Sequence, residues 1–219
     1  MFAGASLDEN SGAFCELKAN FFRLILTKAE LLALTWNDVD FKKNNISVSK
    51  TIYYQPQQDK KRVQKISAPK TKSSIRTVPL LPEVREALKK QREQQFKLVM
   101  PRNVEIDGYS NFIFTTMNGK PYISDAINAV IKRIVKGRNV KEIEIAETEH
   151  REPELIPEFT AHIMRHTFCT RMCENDLNVK TIQMIMGHSD ISTTMNIYTH
   201  VTEEKKQTEM QKLYNIKIS

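Results

Sequence analysis

Hydrophobic positions recur along the chain at two spacings, and these divide it into helical and extended stretches. Apolar residues keep helical spacing from about Glu16, again through KAELLALTW to Trp36, and most clearly over residues 127–134. Three intervening runs, ISVSKTIYY, RVQKISA and SIRTVPL, are rich in β-branched and aromatic residues, which favours strands. The order of helices, then a small antiparallel three-stranded sheet, then helices predicts a mainly helical α+β fold.

Residues at the edges of these stretches predict where several helices begin and end. Pro82 suits the first turn of a helix. Ser124, Thr160 and Asn178 are N-cap residue types that stand directly before helical patterns. Gly187 is suited to end the helix that starts after Asn178. The segment NDVDFKKNN is predicted to be a turn, and a short helix is predicted at 192–196.

Composition narrows the classes of protein. The 219 residues carry 33 basic and 26 acidic side chains, a net charge of +7. A polyanionic partner would account for this excess, although a basic protein without one would show it too. No apolar run approaches the length of a membrane span, and MFAGASLDENSGAF lacks the regions of a signal peptide. These features predict a cytoplasmic protein that does not bind membranes.

Two further compositional features concern the acidic side chains and the cysteines. Residues 141–158 form an acidic segment whose Glu-Ile-Glu-Ile alternation fits either an edge strand or a solvated loop. Cys15, Cys169 and Cys173 make an odd number and lack zinc-ligand pairing. Cys169 and Cys173 lie four apart in a helical pattern, so we expect them to pack in the core of a protein from a reducing compartment.

The densest basic cluster falls in the predicted sheet. A basic hairpin can enter a nucleic-acid groove and neutralise phosphates, whereas the alternative is a sheet edge guarded by lysine side chains. The cluster comprises Lys60, Lys61, Arg62, Lys65, Lys70, Lys72 and Arg76.

The stretch AHIMRHTFCTRM places three ionisable side chains on one predicted helix face. Arg165 and His166 follow His162 by three and four positions. The two histidines have the spacing of an H-E-x-x-H zinc site, but Ile163 stands where that motif needs its glutamate. A guanidinium beside an imidazole instead suits an anion, because arginine donates to phosphate oxygens and histidine moves protons near neutral pH. A solvated helix face is the alternative.

Beyond this stretch, MGHSDISTTMNIYTHV completes a set of motifs in a fixed order. The chain closely resembles the catalytic domain of the tyrosine recombinases, the phage integrase family, over about 21–201. HIMRHTF resembles the family's HxxRHTxA/C motif, and the GHSDISTT segment resembles its LGHxxxxTTxxYxH motif. ELLALTWNDVDF resembles the segment after the family's first catalytic arginine, and PKTKSSIRTVPL resembles its catalytic-lysine hairpin. The residues of these motifs are most similar to those of integrases of conjugative transposons and prophages.

The resemblance implies a role for each site residue. Tyr198 would attack a DNA phosphodiester, giving a 3′-phosphotyrosyl link and a free 5′-hydroxyl. Arg165 would stabilise charge on the phosphorus, His162 would accept the tyrosine proton or bond the phosphate, and His188 would bond a non-bridging oxygen. Lys70 would protonate the leaving oxygen. The remaining residues assigned to DNA binding are His166 and the other members of the basic cluster. Neither a cofactor nor a metal is implied.

Lys72 is the alternative to Lys70, since a shift of two residues along a strand returns to the same face. The family also carries an arginine three residues before the position of Glu30, where this chain has Thr27. A degenerate recombinase, a deletion, or residues of the parent protein left out of this sequence would each explain the difference. A DNA-binding relative that no longer cuts is therefore the rival function, and a type IB topoisomerase is another.

The match also predicts how the chain is organised. Residues 1–20 would be a tail, residues 21–201 one catalytic domain with 141–158 as an acidic insertion, and residues 202–219 a tail that could dock on a neighbouring protomer. We expect double-stranded DNA with att-type sites as partner, a homotetramer on DNA, a monomer when free, and a place in the bacterial nucleoid.

Overall fold

Helices make up most of the regular structure, and short strands form two small sheets. The computed structural model describes residues 25–57, 62–99 and 104–199. Its helices are α1 (Lys28–Ala33), α2 (Pro82–Lys97), α3 (Ser124–Glu149), α4 (Ala161–Glu174), α5 (Val179–Met186) and α6 (Ile191–Thr199). Its strands are β1 (Val39–Asp40), β2 (Asn45–Val48), β3 (Thr51–Pro56), β4 (Arg62–Ser67) and β5 (Arg76–Pro79), with 3-10 turns at Trp36–Asp38 and Lys72–Ser74. None of the helices described is long and apolar enough to cross a bilayer.

The sheets confirm a small antiparallel arrangement but divide the predicted strands differently. β1, β2 and β5 form the three-stranded sheet, and β3 pairs only with β4 as a hairpin. The prediction of one strand over ISVSKTIYY was wrong, because the strand is interrupted at Ser49 and Lys50. The Lys50 ammonium turns inward there and forms a buried ion pair with Asp38. The predicted turn NDVDFKKNN also contains β1.

Local capping rules placed several helix ends correctly. Pro82 starts α2, the Thr160 side chain accepts a hydrogen bond from the Ile163 N–H, and Asn178 accepts one from the Lys180 N–H at 2.8 Å. Gly187 ends α5 with a φ of +71°, the left-handed conformation that glycine adopts without strain. Ser124 was one residue off, because it is the first residue of α3 and not its cap.

The core lies between the sheet and the helices. Ile127 and Ile131 of α3 are buried, as the helical spacing over 127–134 predicts. Val130 and Ile134, predicted for the same face, are only partly buried, and Val135 is buried instead. Val84 and Leu88 of α2 are fully buried against the same cluster. The predicted helix through KAELLALTW is shorter than expected, since α1 ends at Ala33 and a 3-10 turn follows.

The prediction of an edge strand or a solvated loop was wrong for the first half of the acidic segment 141–158. Residues 141–149 complete α3, which runs for 26 residues. Glu142 points inward at 4% exposure, where its carboxylate accepts hydrogen bonds from Arg138 at 2.8 Å and Arg151 at 2.6 Å. These bonds, with that of Arg151 first, lower the pKa of Glu142 to about 2. The glutamates therefore follow a helical pattern whose inward member is neutralised by arginine.

The segment after α3 runs back along the helix toward α4. The Asn139 side chain exchanges two hydrogen bonds with the backbone of Ile156, at 2.8 and 2.9 Å. Further along, Lys132 pairs with Glu158 at 3.0 Å, and the Ala161 N–H donates to Asn128 Oδ1 at 3.3 Å. The start of α4 is thus tied to α3.

Candidate active site

Most of the side chains predicted to act on a phosphate lie on α4, on α6 and on the turn between α5 and α6. α4 carries His162 and Arg165, the turn carries His188, and α6 carries Tyr198. The three helices pack against one another. Tyr198 is half-buried against the core and lies within α6, where the sequence had placed it after a shorter helix. The fold therefore brings the elements that carry these four residues together.

Arg165 lies largely inside the protein. Its guanidinium donates hydrogen bonds to the carbonyl oxygens of Ile25 and Met186. Burial, together with the nearby charge of Arg76, lowers the pKa of Arg165 to about 10, while Glu30 and Cys169 act in the opposite sense. Arg165 therefore stays cationic at neutral pH in a place where water screens it poorly.

Glu30 belongs to the site, but the sequence did not predict a role for it. In the sequence, Glu30 only marks the position of the family's first arginine, three residues earlier. Its carboxylate binds Arg76 through both oxygens, at 2.7 Å to Nη1 and 3.2 Å to Nη2, and both side chains are 6% exposed. Burial would raise the pKa of Glu30, but the hydrogen bonds and charge of Arg76 prevail and lower it. The partners lie 46 positions apart, so no local pattern could have revealed the pair.

The buried charges do not balance. One carboxylate, Glu30, faces two guanidinium groups, those of Arg76 and Arg165. Arg76 takes both oxygens of that carboxylate, and the hydrogen bonds of Arg165 go to carbonyl groups instead. The excess positive charge makes this part of the protein suited to an anion.

His188 is fixed beside this excess charge. Its Nδ1 lies 3.0 Å from Oγ1 of the fully buried Thr194, and its backbone carbonyl accepts from Gln183 at 3.1 Å. Burial first, and then the neighbouring Arg165, His166 and Arg76, lower the pKa of His188 to about 4. The ring is therefore neutral near pH 7 and has a nitrogen-bound proton to donate.

His162 and His166 touch each other on the exposed face of α4. Their Nε2 atoms are 2.8 Å apart and the rings meet nearly at right angles, at 79°. Burial, His162 and Arg165 lower the pKa of His166. A hydrogen bond between two ring nitrogens needs one protonated and one bare nitrogen, so at least one of the two rings carries an acceptor nitrogen.

The predicted lysines lie on a loop and not on a strand. Lys70 and Lys72 are exposed in the segment between β4 and β5, where Lys72 begins the 3-10 turn. The argument that a two-residue shift returns to one strand face was therefore wrong for this pair. Hydrogen bonds between the Thr71 hydroxyl and those of Ser73 and Ser74, at 3.0 and 2.8 Å, shape the loop.

The remaining members of the basic cluster do not share one surface. Arg76 is buried in the pair with Glu30, which differs from the exposed hairpin position that the sequence predicted. Lys65 pairs with Asp107 at 2.8 Å across to another loop. Lys60, Lys61 and the side chain of Arg62 lie outside the described part of the chain.

The cysteines behave as packing residues. Cys169 and Cys173 are fully buried and are not joined in a disulfide, and burial raises the pKa of Cys169 to about 12. Cys15 lies outside the described residues. Within the part that the structure covers, no group of three or more His, Cys, Asp or Glu side chains is arranged to hold a metal ion.

Comparison with known proteins agrees with this geometry. Residues 22–205 match the model of the phage integrase family. The chain is 34% identical over 185 residues to the transposase of transposon Tn916 from Enterococcus faecalis, covering 84% of this chain and 42% of that protein. It is 33% identical over 213 residues to a XerC-like tyrosine recombinase of Caldanaerobacter subterraneus, covering 91% and 49%.

Solved structures show the same fold. The Tn1549 transposon integrase, in complex with a circular intermediate DNA, superposes with a TM-score of 0.74 at 31% identity, covering 96% of this chain and 60% of that one. The XerA recombinase superposes with a TM-score of 0.61 at 18% identity. The mainly helical α+β catalytic fold predicted from the sequence is thereby confirmed. The chain spans about half the length of the curated relatives that it matches.

Proposed function

Because the chain belongs to the phage integrase family, whose members include tyrosine recombinases, we propose that it cuts and rejoins DNA as the catalytic domain of a site-specific recombinase. The observation that carries this proposal is the buried excess of guanidinium charge at Arg165 next to the neutral imidazole of His188. Such a pair can hold a phosphodiester through one cationic and one neutral donor.

The chemistry is a transesterification in which the number of phosphoester bonds stays constant. The Tyr198 oxygen bonds to phosphorus while its proton passes to His162. The bond from phosphorus to the 5′-oxygen breaks, and Lys70 gives that oxygen a proton. Arg165 and His188 offset the charge that develops on the non-bridging oxygens. The second step reverses the first with a new 5′-hydroxyl, so the energy of the bond is retained.

The position of the family's first arginine has a different role in this chain. Thr27 caps α1: its hydroxyl accepts from the Glu30 N–H at 3.2 Å, and Glu30 Oε2 accepts from the Thr27 N–H at 2.7 Å. A missing charged donor in a transition state costs roughly 10²–10³ in rate. We therefore propose a slow recombinase, and restoring the arginine should accelerate it.

The proposal extends to partners. The exposed lysines Lys70 and Lys72 and the family match support binding to double-stranded DNA, with att-type ends as the substrate. Assembly as a homotetramer on DNA, docking by residues 202–219 and association with the bacterial nucleoid belong to the same proposal.

A nicked suicide duplex that carries an end of the parent element tests the activity. Strand cleavage on such DNA should leave a covalent adduct on a denaturing gel, absent from Tyr198→Phe and faster in Thr27→Arg. DNA binding without any adduct, in the wild type and in Thr27→Arg alike, would identify a binding relative. Relaxation of any supercoiled plasmid, regardless of sequence, would indicate a topoisomerase.

A further inference from the structure

Arg76 joins three parts of the chain that are distant in sequence. A guanidinium has five N–H donors, and here each has an acceptor. Nε donates to the carbonyl of Ile185 at the end of α5, at 2.7 Å. Nη1 donates to Glu30 at 2.7 Å and to the Ser74 carbonyl at 3.1 Å. Nη2 donates to Glu30 at 3.2 Å and to the Ile25 carbonyl at 3.3 Å. No donor is left for a DNA phosphate.

The same guanidinium packs against the turn that carries His188. A Cβ atom built at Gly187 would lie 3.0 Å from Nη1 of Arg76 and 3.1 Å from its Cδ and Cζ. At these distances the Arg76 side chain would have to shift by a few tenths of an ångström, and its five hydrogen bonds oppose that shift. Gly187 is therefore needed twice, for its positive φ and for the approach of Arg76.

Arg76 also shares a partner with the cation of the phosphate site. The Ile25 carbonyl accepts from both Arg76 and Arg165. Both guanidinium groups thus converge on one oxygen, and Glu30 compensates the charge of Arg76. We propose that Arg76 is a positioning residue, an inference that rests on the proposed recombinase function. It fixes the Gly187 turn and the Ile25 carbonyl so that His188 and Arg165 stay aimed at one phosphate, and it does not touch the DNA.

Separate measurements of adduct formation and DNA affinity test this role. Arg76→Lys keeps the charge but cannot make five bonds in a plane, so it should slow the adduct by on the order of 10²-fold, as a misplaced site does. Affinity for the same duplex, and its dependence on salt, should stay within about twofold of the wild type. Arg85→Lys is the matched control, because Arg85 lies on α2 and its guanidinium donates to the Phe41 carbonyl.

A residue that contacts phosphate would give the opposite pattern. Affinity would then fall, and the salt slope would decrease by about 1. That result would overturn the positioning role, as would an adduct rate in Arg76→Lys equal to that of the wild type.

A second experiment does not depend on catalysis. Gly187→Ala should lower the urea midpoint of unfolding in the wild type more than in an Arg76→Ala background, because only the contact with Arg76 is relieved there. The strain of a positive φ remains in both. In the same proteins, NMR titration of the His188 ring should show its pKa moving toward the ordinary value when Arg76 is removed.

These readouts separate the two proposals. Equal losses from Gly187→Ala in both backgrounds would overturn the role of Arg76 even in an active protein. If the wild type forms no adduct while the coupling and the titration shift are both found, recombinase activity fails and the positioning role stands. Should Arg76→Ala not fold because Glu30 is left unpaired, the double variant Glu30→Gln/Arg76→Ala takes its place in the cycle.

Discussion

Two regions of the protein carry net positive charge in opposite settings. One is the buried cluster of Glu30, Arg76 and Arg165, and the other is the exposed loop with Lys70 and Lys72. In the cluster, each group has partners supplied by the protein. On the loop, neither lysine makes an ion pair with any residue that the structure describes. Charges of the first kind are held in place by the protein itself, whereas under the proposed function those of the second kind would be ordered only by bound DNA.

The largest effect is expected on the exposed side of this comparison. Lys70→Ala should slow cleavage of a normal 5′-oxygen by about 10²–10⁴, since the leaving oxygen loses its proton donor. A substrate with a 5′-thio leaving group needs no proton and should be cleaved at nearly the wild-type rate. The measurement is adduct formation on the two substrates, with Lys72→Ala as the matched variant. Equal slowing on both substrates would remove Lys70 from this role.

On the buried side, the charge of Glu30 should matter for stability. Glu30→Gln leaves Arg76 buried without its carboxylate, which should lower the free energy of unfolding by about 3–5 kcal/mol. The measurement is urea unfolding, with Glu86→Gln as the control, because the Glu86–Lys89 pair is exposed and should contribute nothing measurable.

The pH dependence of the same variant has a defined sign. The pKa of Glu30 lies below its ordinary value of 4.5 in the folded protein. Its contribution is therefore complete above that value and is lost as the pH falls through the folded pKa. The difference between wild type and Glu30→Gln should shrink below about pH 4.5. A difference that is constant from pH 7 to pH 3 would contradict the assignment.

A smaller effect is expected where an exposed lysine already has a partner. Lys65 is paired with Asp107, and that contact first and foremost holds the pKa of Asp107 down. Lys65→Ala should reduce the salt slope of DNA binding by less than the ~0.9 of a full phosphate contact, and Asp107→Asn should tighten binding a few fold. Weaker binding of Asp107→Asn would show that the loop geometry, and not the freed charge, controls this surface.

The smallest effect is expected from metal removal. In the proposed mechanism Arg165 and His188 supply the charge and hydrogen bonds that the phosphate needs, so EDTA should leave adduct formation unchanged. Strong inhibition, reversed by adding a divalent cation, would contradict this mechanism.

Sequence reasoning succeeded where the determining contacts are local. Thr160, Asn178 and Gly187 each fix a helix end through groups within four positions, and all three were placed correctly. His162, Arg165 and His188 lie on the elements predicted for them, whereas Tyr198 lies within a helix that was predicted to end before it. Lys70 lies on a loop instead of a strand. Sequence reasoning failed where partners are distant: the Glu30–Arg76 pair has no local signature, and Arg76 was grouped with exposed bases on composition alone.

The acidic segment failed for a related reason. Alternating Glu and Ile residues fit a strand if each glutamate faces water, but Glu142 faces inward and meets Arg138 one turn earlier and Arg151 beyond the helix. An inward charge is counted as outward when its partner is unknown. Only the tertiary contacts resolve the choice between an alternating strand and a helix.

The long helix α3 has a mechanical consequence. At 1.5 Å per residue its 26 residues span roughly 39 Å, and the chain that returns beside it is pinned at Glu142, Asn139, Lys132 and Asn128. The return segment is therefore tied to α3 from Glu142 back to Asn128 and leads directly into the first turn of α4. The position of that turn, and of His162 on it, depends on how the return segment is held against α3.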